Sequence, residues 1–221
     1  MRTVAVVGRK GGSGKTTIAV HLAIGFHLRG RSTVLADTDP QRSSMEVLKA
    51  RQAPGPATQA SSGSKLFTLK TSAVASGVEA LVIDTPAVLE EEIAHAVVLS
   101  DLTLLVVRPT FLDLAAVVRT STVVRQLGKP VLIVLNQAPV ARENVEPPIV
   151  RKSLEALQFL RLPVVPIVVR ARAAYQSILE TGRSAEELDL DTVAAQEMQK
   201  LCGFIDRFAF GAAARGAAGA G

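Results

Sequence analysis

With 221 residues, 48% of them hydrophobic, the chain is long enough for one large α/β domain with a substantial core. A single cysteine, Cys202, excludes an internal disulfide, a paired-cysteine metal site and a cysteine-bound iron–sulfur cluster, and fits a reducing compartment. The net charge of +5 permits an acidic partner such as nucleic acid or anionic lipid without demanding one, because residues 1–107 carry 11 basic against 9 acidic groups and residues 108–221 carry 14 against 11.

In chain order, "RTVAVVG" opens as a strand with no basic-then-apolar leader, so no secretory leader is expected. No apolar run approaches the ~18 residues that a membrane-spanning helix needs. Short runs rich in Val, Leu and Ile at 3–7, 33–36, 66–69, 80–83, 102–107, 130–135 and 163–169 lack clean alternation, the pattern of strands buried on both faces. Between them, 14–30 places Ile18, Leu22 and Phe26 on one helical face and stops at Gly30, and 111–128 repeats the pattern up to Gly128. A last helix is expected over about 189–208, with Val193, Leu201, Ile205 and Phe208 on its apolar face. The Pro/Ser/Gly-rich stretch 51–64 reads as a loop inside the domain. Strand–helix alternation predicts a mostly parallel twisted sheet with helices on both faces, in one unit over 1–210, followed by a disordered Ala/Gly tail at 211–221.

The strongest chemical signal is "KGGSGKTT" (10–17), set between the first strand and a helix. Gly11, Gly12, Ser13 and Gly14 let backbone N–H groups close around phosphate oxygens, and the following helix start adds partial positive charge. Lys15 can reach β- and γ-phosphates, the Thr16 hydroxyl can ligate Mg²⁺, and Thr17 continues the phosphate-binding turn. This makes the α/β domain a P-loop NTPase. One departure stands out: Arg9 occupies the position where the usual pattern has glycine.

The same string resembles the deviant Walker A motif of the ParA/MinD family of dimerising ATPases, and is closest in pattern to small ParA-type positioning proteins. The resemblance implies ATP and Mg²⁺ as cofactors. It also implies an ATP-dependent homodimer in which Lys10 reaches the partner's nucleotide, which makes Lys10, Lys15 and Asp39 the catalytic set. "VLADTDPQRSS" (34–44) matches the family's Asp-x-Asp-Pro-Gln motif. By resemblance Asp39 positions the attacking water and Asp37 supports the metal; from chemistry alone, a carboxylate at a strand's C-terminal end can do either. "ALVIDTPA" (80–87) ends a buried strand on Asp84, the Walker B arrangement that holds Mg²⁺. Asn136, in "VLIVLNQAP", sits where the family reads adenine, and an amide can pair with both the N6 donor and the N7 acceptor; Pro166 sits near the family's second base contact.

Family members cycle on and off a surface, DNA for ParA-like ones and membrane for MinD-like ones. The last helix carries only Lys200 and Arg207 as basic residues and runs into Ala/Gly, which fits packing on the core rather than membrane binding. Residues 151–172 hold Arg151, Lys152, Arg161, Arg170 and Arg172 against one acidic residue, Glu155, which suits non-specific contact with a phosphate backbone. A solvated basic face is the competing reading, and Arg172 could instead serve the dimer or the nucleotide. The resulting expectation is a cytoplasmic, nucleoid-associated ATPase with a ParB-like or other adaptor that stimulates hydrolysis. The alternatives are a MinD-like membrane ATPase and a small-molecule ligase of the dethiobiotin-synthase type. His21, His27 and His95 fall in helical patterns and read as structural.

Overall fold

The computed structural model describes residues 1–87, 90–141, 143 and 145–211. Six strands, β1 (Arg2–Val7), β2 (Thr33–Asp37), β3 (Ala57–Ala60), β4 (Ala80–Asp84), β5 (Leu102–Val107) and β6 (Val131–Leu135), form one sheet in the order β3-β2-β4-β1-β5-β6 with every pairing parallel. The helices are α1 (Lys15–Leu28), α2 (Ser43–Lys49), α3 (Leu66–Ala75), α4 (Glu90–Leu99), α5 (Phe111–Gln126), α6 (Pro148–Phe159), α7 (Ala173–Ser177) and α8 (Val193–Phe210). Helices cover both faces, as the alternation predicts. Val4 and Val6 of β1 pack with Ile18, Leu22 and Phe26 of α1 and with Met198, Leu201 and Ile205 of α8. Ala5 and Val7 point to the other face, among Leu66, Ile93, Val97, Val117 and Leu157 of α3 to α6. Burial on two faces is why these strands lack alternation.

Four expectations need correction. The run 66–69 is the first turn of α3, where Leu66 and Leu69 are buried and Phe67 is exposed. Leu66 and Leu69 are three residues apart, a helical spacing that four residues cannot separate from a short strand. The stretch 163–169 is extended beside β6 but makes only isolated bridges, Ile133 with Val164 and Ala138 with Arg170. Pro163 and Pro166 remove N–H donors from a regular ladder there. Conversely, β3 lies inside the stretch read as loop; it is an edge strand, three of its four residues exposed, and so carries no apolar signal. The last helix starts at Val193, where the Thr192 hydroxyl accepts the N–H of Ala195 at 3.2 Å. Its buried face is Met198, Leu201, Cys202 and Ile205, while Val193 and Phe208 are exposed. The Ala/Gly tail at 212–221 lies outside the described residues.

No helix among the described residues is long and apolar enough to cross a membrane. The strand order reverses at β1, which is flanked by β4 and β5. In parallel sheets such a reversal opens a crevice at the strands' carboxyl ends, and the sequence places its phosphate loop and three carboxylates there.

Candidate nucleotide site

The loop from Gly8 to Gly14 leaves β1 under tight steric control. A Cβ on Gly8 would lie 2.8 Å from the carbonyl oxygen of Val106 in β5, so the loop starts flush against its neighbouring strand. Gly14 adopts φ +90°, and a Cβ there would collide with Nδ2 of Asn136. That amide donates to the carbonyl of Ser13 at 2.7 Å, and Nε2 of Gln137 donates to the carbonyl of Gly12 at 2.8 Å. Two side chains at the end of β6 thus hold two P-loop carbonyls, which keeps those oxygens from facing an anion in the loop. Gln137 has no counterpart among the sequence-derived site residues; its only signal was adjacency to Asn136.

Lys15 is buried, with Nζ 3.5 Å from the carbonyl oxygen of Lys10. Burial lowers its pKa, and the charges of Asp84 and Asp39 oppose that fall. A partly desolvated ammonium at the mouth of a glycine loop is suited to phosphate oxygens. Lys10, Gly11 and Gly12 are exposed, and the guanidinium of Arg108 lies over Gly12. Next to Arg108, α5 opens with Phe111 and Leu112, 83% and 64% exposed. The loop therefore holds one lysine buried and a second one exposed. Arg9 turns away and pairs with Glu90 at the start of α4, at the mouth of an apolar cavity of about 240 Å³ between α4 and α5.

Parallel pairing of β2 with β4 sets Asp37 opposite Asp84. Asp84 is fully buried, and neither of its oxygens accepts a hydrogen bond of normal geometry. Burial, and then the neighbouring charge of Asp37, push its pKa up to about 7, against the pull of the Thr16 and Ser44 hydroxyls and the Lys15 ammonium. An orphaned buried carboxylate beside the Thr16 hydroxyl is a donor set that fits Mg²⁺, a hard cation that takes one or two protein oxygens and fills its shell with water and phosphate. Among the described residues no group of three or more His, Cys, Asp or Glu side chains forms a complete metal cage, which agrees with that mode of binding.

Asp37 is fully buried and bonded through both of its oxygens. Its Oδ1 accepts the N–H of Asp39 at 3.0 Å, and its Oδ2 accepts the Ser44 hydroxyl at 2.7 Å and the N–H of Met45 at 3.2 Å. Both oxygens bond within the turn after β2 and the start of α2, and the Asp37 charge also bears on Asp84. Asp39 is half-buried at the rim, with Oδ1 fixed by the N–H of Gln41 at 2.9 Å.

A second cavity, about 270 Å³, continues from the start of α1. Thr17, Asn136, Gln137, Arg170, Arg172 and Tyr175 line it, and its size suits the nucleoside half of a nucleotide whose phosphates occupy the loop. Pro166 is exposed and is not among its lining residues. The five basic residues of 151–172 do not remain together as free cations. Arg151, Lys152 and Arg161 are exposed on α6 and the turn after it. Arg170 is instead gripped by Glu146 at 2.6 and 2.8 Å, and Arg172 pairs with Glu197 at 3.2 Å, both at the cavity wall. Glu146 and Glu197 are distant partners that no local pattern reveals.

The protein-family model described as the CobQ/CobB/MinD/ParA nucleotide binding domain matches residues 4–198. Over 203 residues, 86% of this chain and 90% of the relative, the sequence is 32% identical to the maintenance of carboxysome distribution protein A of Gloeobacter kilaueensis. Among solved structures, an ATP complex of Cyanothece McdA aligns with a TM-score of 0.77 at 14% identity, covering 94% of this chain and 95% of that one. MinD of Pyrococcus horikoshii with Mg-ADP aligns with a TM-score of 0.74 at 19% identity, covering 95% and 97%. At these identities the structural likeness speaks for the fold.

Proposed function

The chain belongs to the CobQ/CobB/MinD/ParA nucleotide-binding domain family and is an ATPase that uses ATP and Mg²⁺; from that premise we propose that it positions a large cargo by cycling between a monomer and an ATP-bound dimer that holds DNA. One observation carries the dimer: Lys15 is buried in its own loop, whereas Lys10, five residues earlier, is exposed. A cation facing outward from a phosphate loop is placed to neutralise a nucleotide bound opposite, and two face-to-face triphosphates need that charge. Phe111 and Leu112 would supply apolar area to the same contact. Asp84 and Thr16 would hold Mg²⁺, which supplies neutralising charge to the phosphates, while Asp39, at the rim, would orient the attacking water. The relative's role in carboxysome distribution favours a large protein assembly as cargo.

Lys10 and Asp39 should separate two steps. Lys10→Ala is expected to bind ATP as a monomer and to stay monomeric in sedimentation with ATP. Asp39→Ala should dimerise with ATP but hydrolyse it about 100-fold more slowly, the scale of one lost acid–base group. A Lys10→Ala protein that dimerises like wild type would remove the cross-dimer role.

DNA is the proposed surface because Arg151, Lys152 and Arg161 are exposed on and just after one helix and are all available for phosphates. Dimerisation doubles the contacts on one duplex and makes the second engagement intramolecular. In a salt titration, binding should be weak without nucleotide, much tighter with ATP, steeply salt-dependent and indifferent to sequence. Changing Arg151, Lys152 and Arg161 together to Glu should abolish it while leaving dimerisation intact. ATP-dependent binding to anionic vesicles in place of DNA would favour the membrane alternative, and hydrolysis stimulated only by a small metabolite would favour the ligase.

A further inference from the structure

The wall of the 270 Å³ cavity runs from Arg170 through Arg172, outside any regular strand, into the short helix α7 (Ala173–Ser177). On one side it is tied to the end of β6: Ala138 donates to the carbonyl of Val169 at 3.0 Å, and Ala171 donates to that of Ala138 at 2.8 Å. On the other side it rests on one carboxylate of α8. Oε1 of Glu197 accepts the Tyr175 hydroxyl at 2.6 Å and the backbone N–H of Arg170 at 2.7 Å, and Oε2 accepts Nη2 of Arg172 at 3.2 Å. The Glu197 side chain is 10% exposed and does not itself line the cavity. It thus binds three residues of the wall, Arg170 through its backbone and Arg172 and Tyr175 through their side chains.

The same wall is coupled to the phosphate loop from behind. The Tyr175 ring stands edge-on to His21, with centroids 5.6 Å apart and planes at 84°. His21 is fully buried one turn along α1, where Nδ1 bonds the carbonyl of Thr17 at 2.8 Å. Glu197, Tyr175, His21 and Thr17 thus form a continuous packed line from α8 to the first turn of α1, and Thr17 lines both the loop and the cavity.

We propose that Glu197 is a positioning residue for the nucleoside half of the site: by holding Arg170, Arg172 and Tyr175 in one arrangement it sets the wall against which the base and ribose bind, and it contributes nothing to the phosphates directly. This rests on the reading of the cavity as part of an ATP site. The chemistry favours a strong effect, because a single buried carboxylate accepts three bonds, one of them from a guanidinium, and such networks fail together when the hub is removed. A wall without its anchor samples other conformations, and apparent ligand affinity falls in proportion to the fraction of time the competent one is populated.

The test compares ATP with inorganic tripolyphosphate, which carries the phosphates without a nucleoside, each with Mg²⁺ and measured by calorimetry. Glu197→Ala should weaken ATP by roughly 10-fold or more while tripolyphosphate affinity stays within about 2-fold of wild type. Glu197→Gln keeps an acceptor for Tyr175 and the Arg170 N–H but loses the charge facing Arg172, so ATP should weaken by only about 3-fold. Tyr175→Phe, which removes one bond and no charge, should fall in the same direction and serves if Glu197→Ala does not fold. Equal loss for ATP and tripolyphosphate, or unchanged ATP affinity in all three variants, would overturn the proposal. Failure of the wild-type protein to bind either ligand would overturn the ATPase reading beneath it instead.

Discussion

Lys15→Ala should lose measurable ATP binding while folding normally. Among the described residues Lys15 is the one cation buried at the phosphate loop, and its ammonium is already partly desolvated beside Asp84 and Asp39. Desolvation makes its free state poorly solvated and its phosphate-bound state correspondingly favourable. Removing it leaves phosphate oxygens without their buried charged partner, a loss of at least about 2–3 kcal/mol. That is roughly 30- to 150-fold in affinity, by the conversion of 1.4 kcal/mol per factor of ten. Calorimetric titration of ATP with Mg²⁺ reads the loss, and a melting curve without nucleotide establishes that the variant folds. Near-normal ATP affinity in a folded Lys15→Ala protein would mean that the loop does not bind phosphate as described.

Asp84→Asn should have opposite effects on function and on stability. The Asp84 carboxyl is fully buried, and its pKa is raised from the ordinary 3.8 to about 7. In the unfolded chain the carboxyl loses its proton near the ordinary value. Between pH ~4 and ~7 the folded protein therefore holds a proton that the unfolded chain has lost, and stability falls as pH rises across that window. The cost is complete above the folded pKa and amounts to at most about 4 kcal/mol for a shift of this size. Asparagine has the same shape without the charge. Without metal, Asp84→Asn should melt higher than wild type at pH 8, the two should converge toward pH 4, and the gap between them should widen as pH rises through that window. Mg²⁺ should raise the wild-type melting temperature at pH 8 and leave the variant's unchanged. Mg²⁺-dependent ATP hydrolysis should fall by about 100-fold or more with the loss of a charged metal contact. A variant less stable than wild type at pH 8 would show that the buried carboxylate is compensated by something other than a cation.

The apolar cavity between α4 and α5 and the exposed Phe111 and Leu112 both flank the phosphate loop, through Arg9 and Arg108 respectively. In the proposed ATP dimer, nucleotide binding and the dimer contact would thus be mechanically adjacent. That adjacency suits a protein whose surface must change with the state of one triphosphate, since small shifts at a packed loop are passed on by rigid neighbours.

What the sequence determined by itself is local in origin. A glycine-rich turn between an apolar run and a helix specifies its own backbone, so Gly11 to Thr17 were legible as a phosphate loop. Asp37 and Asp84 close apolar runs and were legible as strand ends. Parallel strands with helices on both faces followed from runs without alternation. Tertiary structure alone decided the rest, because it depended on partners far along the chain. Register between β2 and β4 placed Asp37 beside Asp84, and the fold of the following turn then consumed both Asp37 oxygens. Asn136 and Gln137 became tethers for carbonyls more than a hundred positions earlier in the chain. Arg170 and Arg172, indistinguishable by sequence from Arg151 and Lys152, were drawn into a cavity wall by Glu146 and Glu197. Runs of four residues, such as 57–60 and 66–69, took the conformation that their neighbours' faces could bury or pair, which no four-residue pattern encodes. Local backbone preferences fix where a phosphate loop forms; pairing of charges and edges across the fold fixes which of the surrounding side chains remain free to act.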